Sequence, residues 1–136
     1  MYLEEAVEAY HAGCLLAATV MVGVATEHTF LRMLESVEQS PTHARAFANV
    51  SRERTILQKI IKFQNLLEPM LKQLNAEIRE DLETNFLAVQ SLIRTFRNQA
   101  GHPTGTKPSR EQVYVLLQLF APYARKLYQL RDELSA

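Results

Sequence analysis

Apolar residues recur along the chain at helical rather than alternating spacing. Gly and Pro interrupt this pattern at few points, with four Gly and five Pro in 136 residues. The length falls within the usual size of one domain. The pattern therefore predicts an all-α fold, a bundle of four or five helices that forms a single domain over residues 1–136.

The first predicted helix runs without proline from about residue 3 to residue 37. Its middle, residues 12–25, is apolar nearly all round, so we expect neighbouring elements on several of its sides. This run is too short to span a membrane, and glutamates precede it where a signal peptide would carry positive charge. Cys14 lies in the run and is expected to be buried. Because a single cysteine cannot form an internal disulfide, a reducing, cytoplasmic compartment is favoured.

Loop residues divide the chain after this helix. Ser40 or Thr42 is expected to cap a second helical region that reaches about residue 74. Within it we predict a short helix through Ala48 and a longer one over about 54–67. Pro69 should bend or break the region because proline removes a helical hydrogen bond.

Two further helices are predicted in the second half of the chain. One runs from about residue 78 to 98, with an apolar stripe along one face. The last runs over 109–134 and begins at a capping-box pattern, Ser109 with Gln112. Pro122 is expected to kink it.

Charge is unevenly distributed although the formal total is zero. Residues 1–38 contain one basic and six acidic residues, whereas residues 39–75 contain six basic and two acidic ones. The densest cations form what we call the basic group: Arg45, Arg52, Arg54, Lys59 and Lys62. Such a group attracts a polyanion such as RNA, although a solvated helix face is the interpretation that we favour when the group is taken alone.

The stretch FRNQAGHPTG, residues 96–105, has two interpretations. Arg97, Asn98, Gly101 and Pro103 are typical of a helix end. However, Arg97 lies at the margin of the buried stripe, and a turn at Gly101 would fold His102 back toward it. A guanidinium beside an imidazole is suited to hold a phosphate and transfer protons during RNA cleavage, without a metal or cofactor.

These residues resemble the signature of the HEPN superfamily, whose members are compact helical bundles in bacterial toxins, defence proteins and RNA-processing enzymes. The family has an Arg, a polar residue and then a His at the end of its penultimate major helix. Here that pattern is RNQAGH, residues 97–102, which we call the motif. The opening helix, with its small residues and Glu27, also resembles that of many bacterial members.

The resemblance implies an endoribonuclease that acts as a homodimer, with both copies of the motif lining one cleft. In that arrangement Arg97 binds the phosphate, His102 is the acid or base and Asn98 orients them. Glu27 is a candidate to pair with Arg97. No metal or other cofactor is implied, and the expected setting is a cytoplasmic toxin or phage-defence protein, with an antitoxin or fused domains as possible partners.

One position departs from a branch of the family. Toxins that are neutralised by a nucleotidyltransferase antitoxin have a Tyr two residues after the His, and here that position is Thr104. Thr104 argues against that particular kind of toxin. Independently of it, the alternative to a ribonuclease is a non-catalytic HEPN module that dimerises or binds RNA or nucleotide within a larger protein. A purely structural helical interaction domain is a third possibility.

A second mixture of aromatic and basic residues lies near the C-terminus, at Tyr123, Arg125, Lys126 and Tyr128. Such residues can stack bases and contact phosphates. Amphipathic side chains on a surface helix are the interpretation that we favour.

Overall fold

The computed structural model describes residues 1–41, 43–73, 76, 91, 95, 98 and 107–135. In this part of the chain the regular structure is entirely helical, so the all-α prediction is confirmed there. The described elements are α1 (Tyr2–His11), α2 (Leu15–Glu38), α3 (Ala44–Phe47), α4 (Ile56–Leu67), a 3-10 helix (Glu68–Gln73) and α5 (Arg110–Ser135).

The prediction of one helix over residues 3–37 is wrong, because the chain turns at Gly13. The backbone φ of Gly13 is 79°, a left-handed conformation that glycine adopts without strain. The amide of Gly13 donates to the Tyr10 carbonyl at 3.0 Å, and that of Cys14 donates to the Ala9 carbonyl at 2.8 Å. This is a Schellman ending. It folds α1 back along α2, and the two helices pack against each other.

The turn also overturns the expectation that Cys14 is buried. Cys14 lies at the N-cap of α2, outside the helical run, and its side chain is exposed. The buried part of the apolar run begins only at Ala18 and includes Thr19, Val22 and Ala25. The hydroxyl of Thr19 donates to the Leu15 carbonyl at 2.9 Å, which satisfies a polar group inside an apolar setting.

The second region divides as predicted into α3, α4 and a 3-10 helix that contains Pro69. Ser40 does not cap α3, however, because its hydroxyl donates to the carbonyl of Leu134 at 3.0 Å. The Nδ1 atom of His43 lies 2.6 Å from the same oxygen, so the tautomer with a proton on Nδ1 donates a second hydrogen bond. Thr42 lies outside the described residues.

Helix α5 starts at the predicted capping box. The amide of Ser109 donates to Oε1 of Gln112 at 2.9 Å, and the amide of Gln112 donates to Oγ of Ser109 at 3.2 Å. Pro122 does not interrupt the helix. Proline leaves the carbonyl of Gln118 without its usual amide donor, and both residues are exposed, so water can satisfy that oxygen.

Three phenylalanines hold α2, α3 and α4 together. The ring of Phe63 lies 5.5 Å from that of Phe30 and 5.2 Å from that of Phe47, centroid to centroid. All three are fully buried, and burial of such a side chain contributes roughly 2–3 kcal/mol. From α5, Tyr123, Leu127, Leu130 and Leu134 complete this cluster.

A smaller cluster joins α1 to the bundle through Ala6, Val22 and Leu116, from α1, α2 and α5. Helices α1 and α5 both pack against α2. Elements on more than one side of α2 therefore cover its apolar middle, as the sequence predicts. No helix in the described ranges is long and apolar enough to cross a membrane.

The Gly13 turn yields a prediction about stability. A Cβ atom at this position meets no heavy atom within 4 Å, so any cost of Gly13→Ala comes from the backbone conformation alone. We expect Gly13→Ala to lower the free energy of unfolding by about 1 kcal/mol and Gly13→Asn by less, because asparagine tolerates the left-handed region. Urea denaturation followed by circular dichroism measures both, and an unchanged midpoint for Gly13→Ala would contradict the assigned turn.

Candidate nucleic-acid interface

Of the six motif residues, the structure describes only Asn98. Asn98 is helical and exposed, as are Ser91 and Thr95. Spacings of four and three residues place these side chains on one face of a helix. Arg97, His102 and Thr104 lie outside the described residues, so their predicted roles stay predictions.

Glu27 lies half-buried on α2. Its charge acts on Tyr123 of α5, whose side chain is only 3% exposed. Burial raises the pKa of the Tyr123 phenol well above its ordinary value, and the negative charge of Glu27 raises it further. Glu27 therefore faces the junction of α2 and α5, and the pairing with Arg97 stays a prediction.

The basic group occupies α3, the following loop and α4. Arg45, Arg52 and Arg54 are exposed, while Lys59 and Lys62 are half-buried. An internal interaction restrains one of the arginines, since Nη1 of Arg52 donates to Oδ1 of Asn49 at 3.2 Å. The three arginines are thus the part of the group that solvent reaches most easily.

Lys62 is partly neutralised. Its Nζ lies 3.0 Å from Oε1 of Glu53. Pairs at this level of exposure contribute only about 0–1 kcal/mol to stability. The carboxylate nevertheless offsets the charge that Lys62 offers to an anion, so the five cations are not equivalent.

The aromatic and basic residues near the C-terminus do not form one surface. Tyr123 is buried in the core, whereas Tyr128 is half exposed. The guanidinium of Arg131 lies 4.9 Å from the centroid of the Tyr128 ring. The favoured surface-helix interpretation therefore holds for Tyr128 and is wrong for Tyr123.

A different aromatic and cationic cluster was missed from the sequence. Arg110, at the start of α5, places its guanidinium carbon 4.5 Å from the centroid of the Tyr10 ring. The rings of Tyr10 and Tyr114 are 6.4 Å apart at an interplanar angle of 40°. We call Tyr10, Arg110 and Tyr114 the aromatic surface. The turn at Gly13 brings α1 to α5. In the sequence, Gly13 as the end of a helix was the signal that could have predicted this cluster.

A cleft of about 400 Å³ is lined by residues that are close in sequence to the aromatic surface. One wall is the segment 13–17, which contains the Gly13 turn and the start of α2, and the other is Lys107 with Pro108. Lys107 is exposed and Pro108 is buried. The cleft thus has mostly apolar walls with one cation at its edge.

Comparison with known proteins gives no match to a family model, a curated protein or a solved structure.

The Tyr123 phenol predicts how stability depends on pH. Its folded pKa is raised, so its contribution to stability is complete below the unfolded pKa of about 10 and is lost as the pH rises beyond that value. Between about pH 10 and 11, the wild type should lose up to about 1.4 kcal/mol more unfolding free energy than Tyr123→Phe.

Urea denaturation over this pH range measures the difference. Tyr114→Phe is the matched control, because it removes a phenol that is half exposed on the same helix. The same slope for Tyr123→Phe and the wild type would contradict the buried phenol.

Proposed function

We propose that the protein is a metal-independent endoribonuclease of the HEPN type that acts as a homodimer. The observation that carries the proposal is the motif RNQAGH at residues 97–102. The helical, exposed Asn98 supports it, since a site for a large substrate requires a polar motif residue that solvent reaches. The proposed setting is a cytoplasmic toxin or phage-defence protein, with an antitoxin or fused domains as proposed partners.

The proposed reaction uses groups of the RNA and of the motif alone. The ribose 2′-oxygen attacks the adjacent phosphorus and loses its proton to a base, while the bond from phosphorus to the 5′-oxygen breaks and that oxygen takes a proton from an acid. The products are a 2′,3′-cyclic phosphate and a 5′-hydroxyl. His102 supplies the base or the acid, and the second copy of the motif in the dimer supplies the other.

The role that we assign to Arg97 is to stabilise the negative charge that develops on the phosphate oxygens. A guanidinium presents planar donors that match two phosphate oxygens, and it stays charged throughout the working pH range. The role that we assign to Asn98 is to orient Arg97 and His102, because its side-chain amide can both donate and accept hydrogen bonds.

The test is cleavage of RNA in EDTA by purified variants. We expect Arg97→Ala and His102→Ala each to lower the rate about 100-fold or more, the usual range for loss of an acid, a base or a charge-stabilising donor. The matched controls are Arg125→Ala and His28→Ala, because both side chains are exposed on other helices. Equal rates for the wild type and the two motif variants would exclude the proposal.

A second candidate function is RNA binding without cleavage. It is favoured by the exposed Arg45, Arg52 and Arg54, which lie on consecutive elements of one segment. Their charges need no catalytic geometry in order to hold a phosphate backbone, because contacts of this kind act through counterion release.

This candidate predicts a change in salt dependence. Replacing the three arginines with alanine should weaken binding of single-stranded RNA. It should also reduce the magnitude of the slope of log affinity against log salt by up to about 2, because each lost phosphate contact contributes about 0.7. Lys62→Ala is the matched control, since Glu53 already pairs with Lys62 and its loss should change the slope less. Fluorescence anisotropy at several salt concentrations measures both, and an unchanged slope in the triple variant would rule out the basic group.

A further inference from the structure

Two tyrosines of α5 are exposed to the same extent, Tyr114 at 51% and Tyr128 at 50%. Each lies in a small cluster that contains an arginine stacked on a tyrosine ring. Arg131 stacks on Tyr128 itself, whereas Arg110 stacks on Tyr10, the neighbour of Tyr114. The two clusters are therefore a natural comparison within one helix.

The charges around the two clusters differ. Arg131 donates from Nε and Nη2 to Oδ1 of Asp132 at 3.1 and 3.0 Å, so its donors already serve a carboxylate. Arg110 makes no ion pair with any residue of the described ranges. Lys107 is exposed close to it in sequence, and Glu111 is the acidic residue of the same turn. The cluster at the start of α5 thus keeps cationic donors that an anion can use.

The aromatic surface also leaves ring area open. The guanidinium carbon of Arg110 lies over the Tyr10 ring, and the N–H groups of a guanidinium point outward in its plane, where an anion can accept from them. Tyr114 contacts Tyr10 at a tilt and remains half exposed. Exposed rings beside arginine donors are the combination that binds unpaired bases together with their phosphates.

We propose that the aromatic surface binds single-stranded RNA, with a base stacked on Tyr114 and the adjoining phosphates contacted by Arg110 and Lys107. The proposal rests on the proposed function in that RNA is the ligand, but it does not require cleavage. Unpaired RNA is the form recognised, because bases inside a duplex have no free face to stack. The apolar cleft beside Lys107 gives a neighbouring base a second place to lie.

The position of the surface in the chain fits a substrate shared with the motif. Lys107 follows His102 by five residues, a span of at most about 18 Å even if the chain is fully extended. An RNA strand held at His102 therefore reaches Lys107 within a few nucleotides. If the proposed function holds, the part of the strand that flanks the cut is the part that this surface would bind.

The chain has no tryptophan, so a single introduced indole reports on stacking directly. The experiment uses Tyr114→Trp in a His102→Ala background, which keeps the RNA intact, and titrates it with a short adenine-rich single-stranded RNA. Tyr128→Trp in the same background is the matched control. We expect RNA to quench the emission of Tyr114→Trp and to leave that of Tyr128→Trp unchanged.

Affinity measurements in the His102→Ala background supply a second readout. Tyr114→Ala should weaken RNA binding about 5-fold or more, the usual cost of losing one stacked base, while Tyr114→Phe should bind as tightly as Tyr114. A fully complementary duplex of the same sequence should bind more weakly than the single strand.

The proposal is overturned if RNA leaves the Tyr114→Trp emission unchanged, or if it quenches both tryptophans equally. It is also overturned if the emission changes with protein concentration in the absence of RNA, because the surface then contacts another copy of the chain. Quenching in the His102→Ala background, together with a wild type that cleaves no RNA in EDTA, supports the surface and rejects the ribonuclease, so the two failures are distinguishable.

Discussion

The left-handed turn at Gly13 is the constraint on which the arrangement of the described helices depends. Without it, α1 would continue the axis of α2 and project away from the bundle. With it, α1 lies along α2 and reaches α5, where Tyr10 contacts Arg110 and Tyr114. The same turn exposes Cys14 and forms one wall of the cleft. A single backbone conformation thus creates both the helical hairpin and the surface for which we propose RNA binding.

A second set of interactions fixes the basic group relative to the bundle. Phe47 packs against Phe63, and Ser40 and His43 both reach the carbonyl of Leu134 near the end of α5. These contacts hold the short α3 helix against α5 although it has little stability of its own. Phe47 is buried while Arg45 stays exposed, so the charge of Arg45 lies on a helix that is anchored in the core.

Local signals could be predicted from the sequence, and tertiary ones could not. The capping box of α5 and the 3-10 region at Pro69 each depend on a few adjacent residues, and both are confirmed. Gly13 was missed because apolar residues continue on both sides of it, so periodicity alone does not mark the turn. The partner of Ser40 is 94 residues away, and the contact between Tyr10 and Arg110 exists only once α1 folds back. Of the candidate site, the motif came from sequence alone, whereas the aromatic surface required the fold.

The ribonuclease that we propose cleaves RNA through the ribose 2′-hydroxyl without a metal. The most direct measurement compares one RNA with the same RNA carrying a single 2′-deoxynucleotide at the cleaved position, both incubated with the protein in EDTA. We expect cleavage of the first RNA at that position, which leaves a 2′,3′-cyclic phosphate, and no cleavage of the second. Equal cleavage of both, or cleavage of neither, would contradict it.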